Sequence, residues 1–434
     1  MKSTILLLLL SLGAAGVHAK PPSTYAIRGA RIVTVSGATL EKGTVLIRGG
    51  LIQDVGANVD IPADAWVIDG HGLIVYPGLI DSLSTLGLAE AEPADAPAGQ
   101  RRSPPAAQQT PARGPEDRPA TTSWLRAADM INPADRRIES ARNAGFTNAV
   151  TFPQRGMFAG QGAVIALAGE RPGDMVVATP AGMYLTLSTA GSGGFPSSLM
   201  GVMAYIRQVY LDAEHYKLAR QQYASRANGA QRLPYDRALE GVLEAPRILL
   251  PASRAVEIER MLKFAAELKT PAVLYGGHEA YRAADVLRKT GTPLLINLRW
   301  PERGREEDPE RMDSLRILRL RELAPSSPAE LAKAGCRFAF YTGGIPMRDL
   351  RKAVKRALDA GLSHADAVRA FTLSPAEIYG VADRLGSIDR GKIANLVITD
   401  GELFAERTQI KYIFVDGVKY EPLPEPAEER EANR

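Results

Sequence analysis

A single cysteine, Cys336, in 434 residues means that no intramolecular disulfide can form, so stability has to come from core burial. Histidine is nearly as scarce, with five residues in all: His18, His71, His215, His278 and His364. A site built from several imidazoles has little to draw on, and no pair of thiols can replace them. Charge of one sign is lacking too. The 53 basic and 49 acidic side chains leave a formal charge of +4, spread along the chain. That excludes the clustered basic face expected of a nucleic-acid binder. No apolar run is long enough for a membrane span. At 45% hydrophobic and 24% charged residues the composition is that of a globular protein, and the length suggests one large domain plus a smaller one.

What is present begins at the N-terminus. Lys2, an apolar stretch over 5–12 broken only by Ser11, and the small-residue site Val17-His18-Ala19 have the order of a secretory signal peptide over residues 1–19. This predicts export, to the periplasm or beyond. No cysteine follows for lipid attachment. Cys336 itself lies in Gly335-Cys336-Arg337-Phe338-Ala339-Phe340, which reads as a buried strand holding a packed thiol.

Residues 25–35, 43–55 and 65–75 are β-branched-rich runs punctuated by Gly29, Gly49-Gly50 and Gly70-His71-Gly72, and they predict three antiparallel strands. Residues 386–399 and 410–420 repeat the pattern, with Asp400-Gly401 and Asp416-Gly417 as turns. The two ends, 20–76 and 386–422, are therefore expected to build one composite β-sandwich. Between them apolar strands at 79–82, 147–152, 182–187, 248–251, 272–275, 294–298 and 338–341 alternate with helical patterns such as 136–144, 255–268, 279–289 and 328–334. Helices are also expected at 347–360 and 363–372, with a short one opening at Pro375. That alternation predicts a parallel α/β barrel over 77–385. Residues 89–122 are rich in Pro, Ala, Gln and Arg, with almost no large apolar residue, and are expected to be a disordered insertion. The glycine-rich run at 190–195 reads as a flexible loop, and 423–434 as a flexible tail.

Several ordered motifs resemble the amidohydrolase superfamily, in particular its imidazolonepropionase-like, exported bacterial members. They are Tyr76-Pro77-Gly78-Leu79-Ile80-Asp81, Gly160-Gln161-Gly162-Ala163-Val164-Ile165, the stretch 279–287 beginning Glu279-Ala280-Tyr281, and Gly386-Ser387-Ile388-Asp389-Arg390-Gly391-Lys392-Ile393-Ala394-Asn395-Leu396-Val397-Ile398. The last carries Asn395 where the family has Asp. The resemblance implies a TIM-type (β/α)8 barrel with a composite sandwich. It also implies one or two divalent metals, usually zinc, activating water against carbon–nitrogen bonds.

The positions at which the resemblance places metal ligands carry none of them. The His-x-His pair falls on Leu83 and Thr85, the strand-five histidine on Pro251 or Ser253, the strand-six histidine on Gly276, and the strand-eight Asp on Gly343. No lysine occurs between Lys42 and Lys217 to bridge two metals. The expectation is therefore no metal cofactor. Polar groups expected at the barrel mouth are Ser82, Thr85, Gln154, Ser253, Tyr275, His278, Asn297, Arg299 and Thr342. Thr85, Tyr275, Asn297, Arg299 and Thr342 form a candidate ligand pocket, in which Arg299 with His278 would hold a carboxylate. Ser253, His278 and Glu279 are the one trio with the residue types of a nucleophile, base and orienting acid near strand ends. Trp124 and Trp300 read as loop anchors, and 302–311 as a solvated charged stretch. Three readings stand. One is a catalytically degenerate homologue acting in binding or scaffolding, as a homo-oligomer or with an active relative. Another is an active carbon–nitrogen hydrolase with an unusual or partner-completed site. The third is an exported small-ligand receptor.

Overall fold

The computed structural model describes residues 23–89, 114–189, 194–225, 232–304 and 312–422. The expected signal peptide at 1–19 and expected tail at 423–434 lie outside that set, as do residues 20–22, 90–113, 190–193, 226–231 and 305–311.

In chain order the strands are β1 (Thr24–Ile32), β2 (Leu40–Arg48), β3 (Leu51–Gly56), β4 (Trp66–Asp69), β5 (Ile74–Pro77), β6 (Leu79–Ser84), β7 (Phe146–Thr151), β8 (Phe158–Gln161), β9 (Ala163–Ala166), β10 (Val176–Ala178), β11 (Met183–Leu185), β12 (Ile248–Ala252), β13 (Ala272–Gly276), β14 (Leu294–Asn297), β15 (Phe338–Tyr341), β16 (Leu396–Thr399), β17 (Ile410–Val415) and β18 (Val418–Tyr420). The α-helices are α1 (Arg136–Asn143), α2 (Pro172–Met175), α3 (Leu199–Ser225), α4 (Arg237–Glu244), α5 (Ala255–Leu268), α6 (Ala284–Thr290), α7 (Leu315–Leu323), α8 (Ser327–Lys333), α9 (Leu350–Asp359), α10 (His364–Phe371) and α11 (Leu373–Tyr379).

The fold is mixed α/β, arranged around three sheets. The first joins both ends of the chain in the order β18-β17-β16-β5-β1-β2-β3, with β4 also paired to β1. Its inner face buries Ile27, Ile32, Val45, Ile47, Val75, Leu396, Ile398 and Phe414. The three antiparallel strands read from residues 25–75 are in fact five. Gly49 and Gly50, both at positive φ, turn β2 back into β3. The third run breaks into β4 and β5, both parallel to β1. Gly70 separates them because it packs on β1, where a Cβ would lie 2.8 Å from that of Ala30.

The interior strands form a four-stranded sheet, β10-β9-β7-β6, and a six-stranded one, β15-β14-β13-β12-β11-β8. From β11 to β15 all pairings are parallel, as the alternation of strand and helix predicts. The stretch from β8 to β9 departs from that expectation. It pairs antiparallel with β11 through β8 and antiparallel with β7 through β9. Gly162 lies between the two halves, against the Phe152 ring, where a Cβ would come within 2.2 Å. At the opposite side β6 meets β15: the Ser82 hydroxyl donates to the Phe340 carbonyl at 2.7 Å.

Local signals place the helices. Asp135, Asp236, Ser314 and Ser363 cap α1, α4, α7 and α10 with side-chain oxygens that accept first-turn amides. The 27-residue α3 buries Val202, Tyr205, Ile206, Val209, Ala213 and Tyr216, a stripe at helical spacing. The end of the expected insertion, residues 114–122, falls among the described residues and makes defined contacts. It has few apolar groups, but it is tied to α3 by Arg118 Nη1 to Asp212 at 2.6 Å and by a 2.5 Å hydrogen bond between the Thr121 and Tyr205 hydroxyls. Cys336 lies before β15 rather than in it. It is half-buried, its thiol donates to the Ala284 carbonyl at 3.4 Å, and burial pushes its pKa up.

A candidate ligand site at the strand ends

Residues following or ending β6, β11, β13, β14 and β15 enclose a cavity of about 570 Å3. Parallel strands collect their C-terminal ends, and the loops leaving them, on one side, which is where α/β folds build their sites. Of the pocket residues read from the sequence, Thr85, Tyr275, Asn297, Thr342 and Gln154 line it together. Arg299 does not. Its side chain is exposed and reaches the Gly344 carbonyl at 3.4 Å, so it offers the cavity no cation.

Asp81 forms part of the wall. It is fully buried, accepts from the Thr342 hydroxyl at 2.6 Å and amide at 3.1 Å, and burial pushes its pKa up to about 6. The hydrogen bonds from Thr342 and Leu83 oppose that rise without cancelling it. Tyr184 and Tyr275 stack with ring centroids 5.1 Å apart, and the Tyr275 hydroxyl donates to the Leu185 carbonyl at 3.0 Å. Burial pushes the phenols of Tyr184, Tyr275 and Tyr341 up, so all three are neutral hydroxyls at physiological pH. Arg137 from α1 completes one side. It is held by Asp135 at 2.7 Å and donates to the Thr85 hydroxyl at 3.1 Å.

The trio Ser253, His278 and Glu279 is not assembled. His278 Nε2 lies 3.2 Å from the Asn297 carbonyl, and burial pushes its pKa down. The buried Glu279 carboxylate accepts the Ala255 amide at 3.0 Å, at the start of α5. The Ser253 hydroxyl lies close to Gly276. None of the three lines the cavity. Trp300 anchors its loop by donating to the Ala353 carbonyl at 2.8 Å, while Trp124 lies under the Arg237 guanidinium. The other histidines among the described residues sit elsewhere: His71 is 2.5 Å from Asp69 in an exposed turn, His215 is exposed on α3, and His364 contacts Glu402 and Phe404.

The residues at the strand ends do not fit a divalent metal. Among the described residues no three His, Cys, Asp or Glu side chains converge on one point. Leu83 offers only carbon. Gly276 has φ +120°, and a Cβ there would lie 2.4 Å from the Ser253 hydroxyl. Gly343 has φ +60°, and a Cβ there would lie 2.0 Å from Asn297 Oδ1. At both positions the backbone disfavours a side chain, and a neighbour occupies the space one would need. What the cavity does present is hydroxyl and amide groups, stacked phenols, the Arg137 guanidinium and one carboxyl able to hold a proton near neutrality.

Sequence reasoning passed over Asp81, Tyr184, Tyr341 and Arg137. Asp81 had a readable signal, a lone acid inside the apolar run Leu79-Ile80-Asp81. The tyrosines read as ordinary strand core, and Arg137 as a helix surface residue.

The motif stretches account for this architecture. In Gly386–Lys392 the Ser387 hydroxyl donates to Asp389 at 2.6 Å and Lys392 pairs with Asp389 at 3.1 Å. Asn395 donates to Asn148 Oδ1 and accepts the Asp416 amide, both at 2.8 Å, joining β7 to the terminal sheet. Comparison with known proteins agrees. The model of the amidohydrolase family matches residues 325–421. An amidohydrolase structure from Thermotoga maritima MSB8 superposes with a TM-score of 0.75 at 25% identity, covering 91% of this chain and 99% of that one. A Xaa-Pro dipeptidase with bound methionine shares the fold, with a TM-score of 0.54 at 16% identity over 92% of this chain and all of that one. A dihydroorotase from Geobacter sulfurreducens is 42% identical over 55 residues, a match spanning 13% of this chain and 13% of that relative's length. The family match covers residues 325–421, and over most of the chain the likeness is to the fold of an amidohydrolase; together they support the amidohydrolase superfamily.

Proposed function

We propose that this protein is a superfamily member in which metal-dependent cleavage of carbon–nitrogen bonds has been lost, and that the strand-end cavity binds a small polar molecule. The observation carrying this reading is the pairing of Gly276 with Ser253 and of Gly343 with Asn297, in which the expected ligand positions have left-handed backbone and filled surroundings. In this reading the four- and six-stranded sheets are the two arcs of one (β/α)8 barrel over 77–385. The sheet drawn from both termini is then the composite sandwich of 20–76 and 386–422. Residues 1–19 direct export, and the protein acts as a homo-oligomer or beside an active homologue. Elemental analysis of protein purified without chelator tests the central claim. Less than about 0.1 zinc, manganese or iron per chain is expected, and near-stoichiometric metal overturns it.

Asp81 favours a second reading, an active carbon–nitrogen hydrolase without metal. It is a buried acid in the cavity wall with a pKa of about 6, within reach of general acid or base work. Hydrolysis of cyclic amides, dipeptides or N-acyl amino acids that is abolished by Asp81→Asn would favour this reading over the first.

A further inference from the structure

A second cavity, of about 870 Å3, lies between the N-terminal half of α3 and α5, and Tyr275 borders both it and the strand-end cavity. Two helical stripes face each other across it. Met200, Met203 and Ala204 come from α3, and Met261 and Phe264 from α5. Met200 is 83% exposed and Leu199 beside it 55%, so this apolar surface is open to solvent. Isolated exposed apolar residues need no explanation, but a continuous concave set of this size does.

The charges around the trough are unequal. Arg207, Arg254, Arg260 and Lys263 line it against Glu257 and Glu267. Both acids are already engaged: Glu267 accepts from Arg207 at one end, where the guanidinium also lies over the Phe264 ring, and Glu257 accepts from Arg254 at the other. Arg260 and Lys263 make no ion pair among the described residues. They stand one helical turn apart on α5, so two cations are left over beside an apolar floor, close enough together to hold one small anionic headgroup.

We propose that this trough binds a single-chain amphipathic carboxylate, a medium-chain acyl group whose tail lies along Met200, Met203, Met261 and Phe264 and whose carboxylate sits between Arg260 and Lys263. The unpaired cations select an anion over a neutral alcohol, and the methionines supply a floor that adapts to a flexible chain. Pro251, one of the two positions at which the resemblance places the strand-five histidine, borders the trough, but none of the groups proposed to hold the ligand occupies such a position, so the site does not depend on the fate of the metal chemistry. Its failure would leave the reading of the strand-end cavity untouched.

Titration calorimetry of the full chain with octanoate, decanoate and dodecanoate, each below its micelle concentration, tests the proposal. Saturable binding of one ligand per chain is expected, tightening by up to about fourfold for each methylene buried. Decanol should bind roughly tenfold more weakly than decanoate. The double variant Arg260→Gln/Lys263→Gln should lose that preference while still binding decanol. Met200→Glu, at an exposed position that folding does not require, should weaken every ligand in the series. Absence of saturable binding overturns the proposal. So does equal affinity for decanoate and decanol, or affinity indifferent to the Arg260/Lys263 double variant. Sedimentation that reveals a dimer dissociated by Met200→Glu, with no effect of decanoate, also overturns it by assigning the trough to a second copy of the chain.

Discussion

Replacing Asp81 with asparagine isolates the energetic consequence of burying an acid in the cavity wall. Its pKa rises from 3.8 to about 6 because burial disfavours the carboxylate more than its hydrogen bonds favour it. The folded state therefore holds the proton more tightly than the unfolded chain. Asp81 then contributes stability that is fully present below pH 3.8 and lost as pH rises through 6. At 1.36 kcal/mol per tenfold the whole span is worth about 3 kcal/mol. Between about 1 and 2 kcal/mol of it is recovered on going from pH 7.5 to pH 5. Asparagine keeps the bond from the Thr342 amide but presents an NH2 group to the Thr342 hydroxyl, which must turn to accept. That constant penalty does not depend on pH, so the pH dependence of the difference carries the test. Urea unfolding of both proteins at pH 5, 6, 7 and 8 should show Asp81→Asn losing ground to the wild type as pH falls. A difference that stays flat, or one that widens as pH rises, would refute the argument that an unpaired buried acid lines this cavity.

Placing a carboxylate at the strand-eight position by Gly343→Asp should lower the thermal midpoint, at a cost of about 1–3 kcal/mol from overpacking against Asn297, without bringing zinc with it. An undiminished midpoint together with one bound zinc per chain would count against the filled-site picture. His278, whose pKa burial pushes below 6.5, should titrate by NMR below the ordinary imidazole range. Its contribution to stability is present above pH 6.5 and lost as pH falls through the lowered value. His278→Ala should cost about 1 kcal/mol, the scale of its bond to the Asn297 carbonyl. Arg118→Ala removes contacts to Asp212 and Asp236 and should cost about 1 kcal/mol. Limited proteolysis should then cut residues 114–122 faster than in the wild type.

The legible parts of the fold were those governed by local pattern. Seven inner strands showed as short apolar runs, and α1, α5, α8 and α10 as periodic segments with a cap or a stop. The antiparallel pairing of β8 with β11 and of β9 with β7 was not legible, because Phe158–Ala166 is two four-residue runs parted at Gly162 that carry no sign of which way their neighbours run. The helix stripe from Val202 to Tyr216 was present in the sequence, but charged residues interleave it and a glycine-rich run precedes it. In the site, Thr85, Tyr275, Asn297 and Thr342 were found by their places at strand ends. Arg299 was misjudged because alternation along a strand stops constraining direction once the chain leaves the sheet.

By itself the sequence pointed to the superfamily, and it put Leu83, Gly276 and Gly343 where the resemblance leads one to expect metal ligands. Motif order survives without coordinates, and leucine or glycine cannot ligate a metal wherever it lies. Only the tertiary structure decided what stands in the place of those ligands. Asn297 fills the space beside Gly343, and Ser253 the space beside Gly276, although each is more than 20 residues from its glycine in the chain. Their effect comes from volumes and backbone angles, which a string of residue types does not carry. The same holds for Asp81: its type was visible from the start, but the pKa that makes it informative arises from the wall that closes over it.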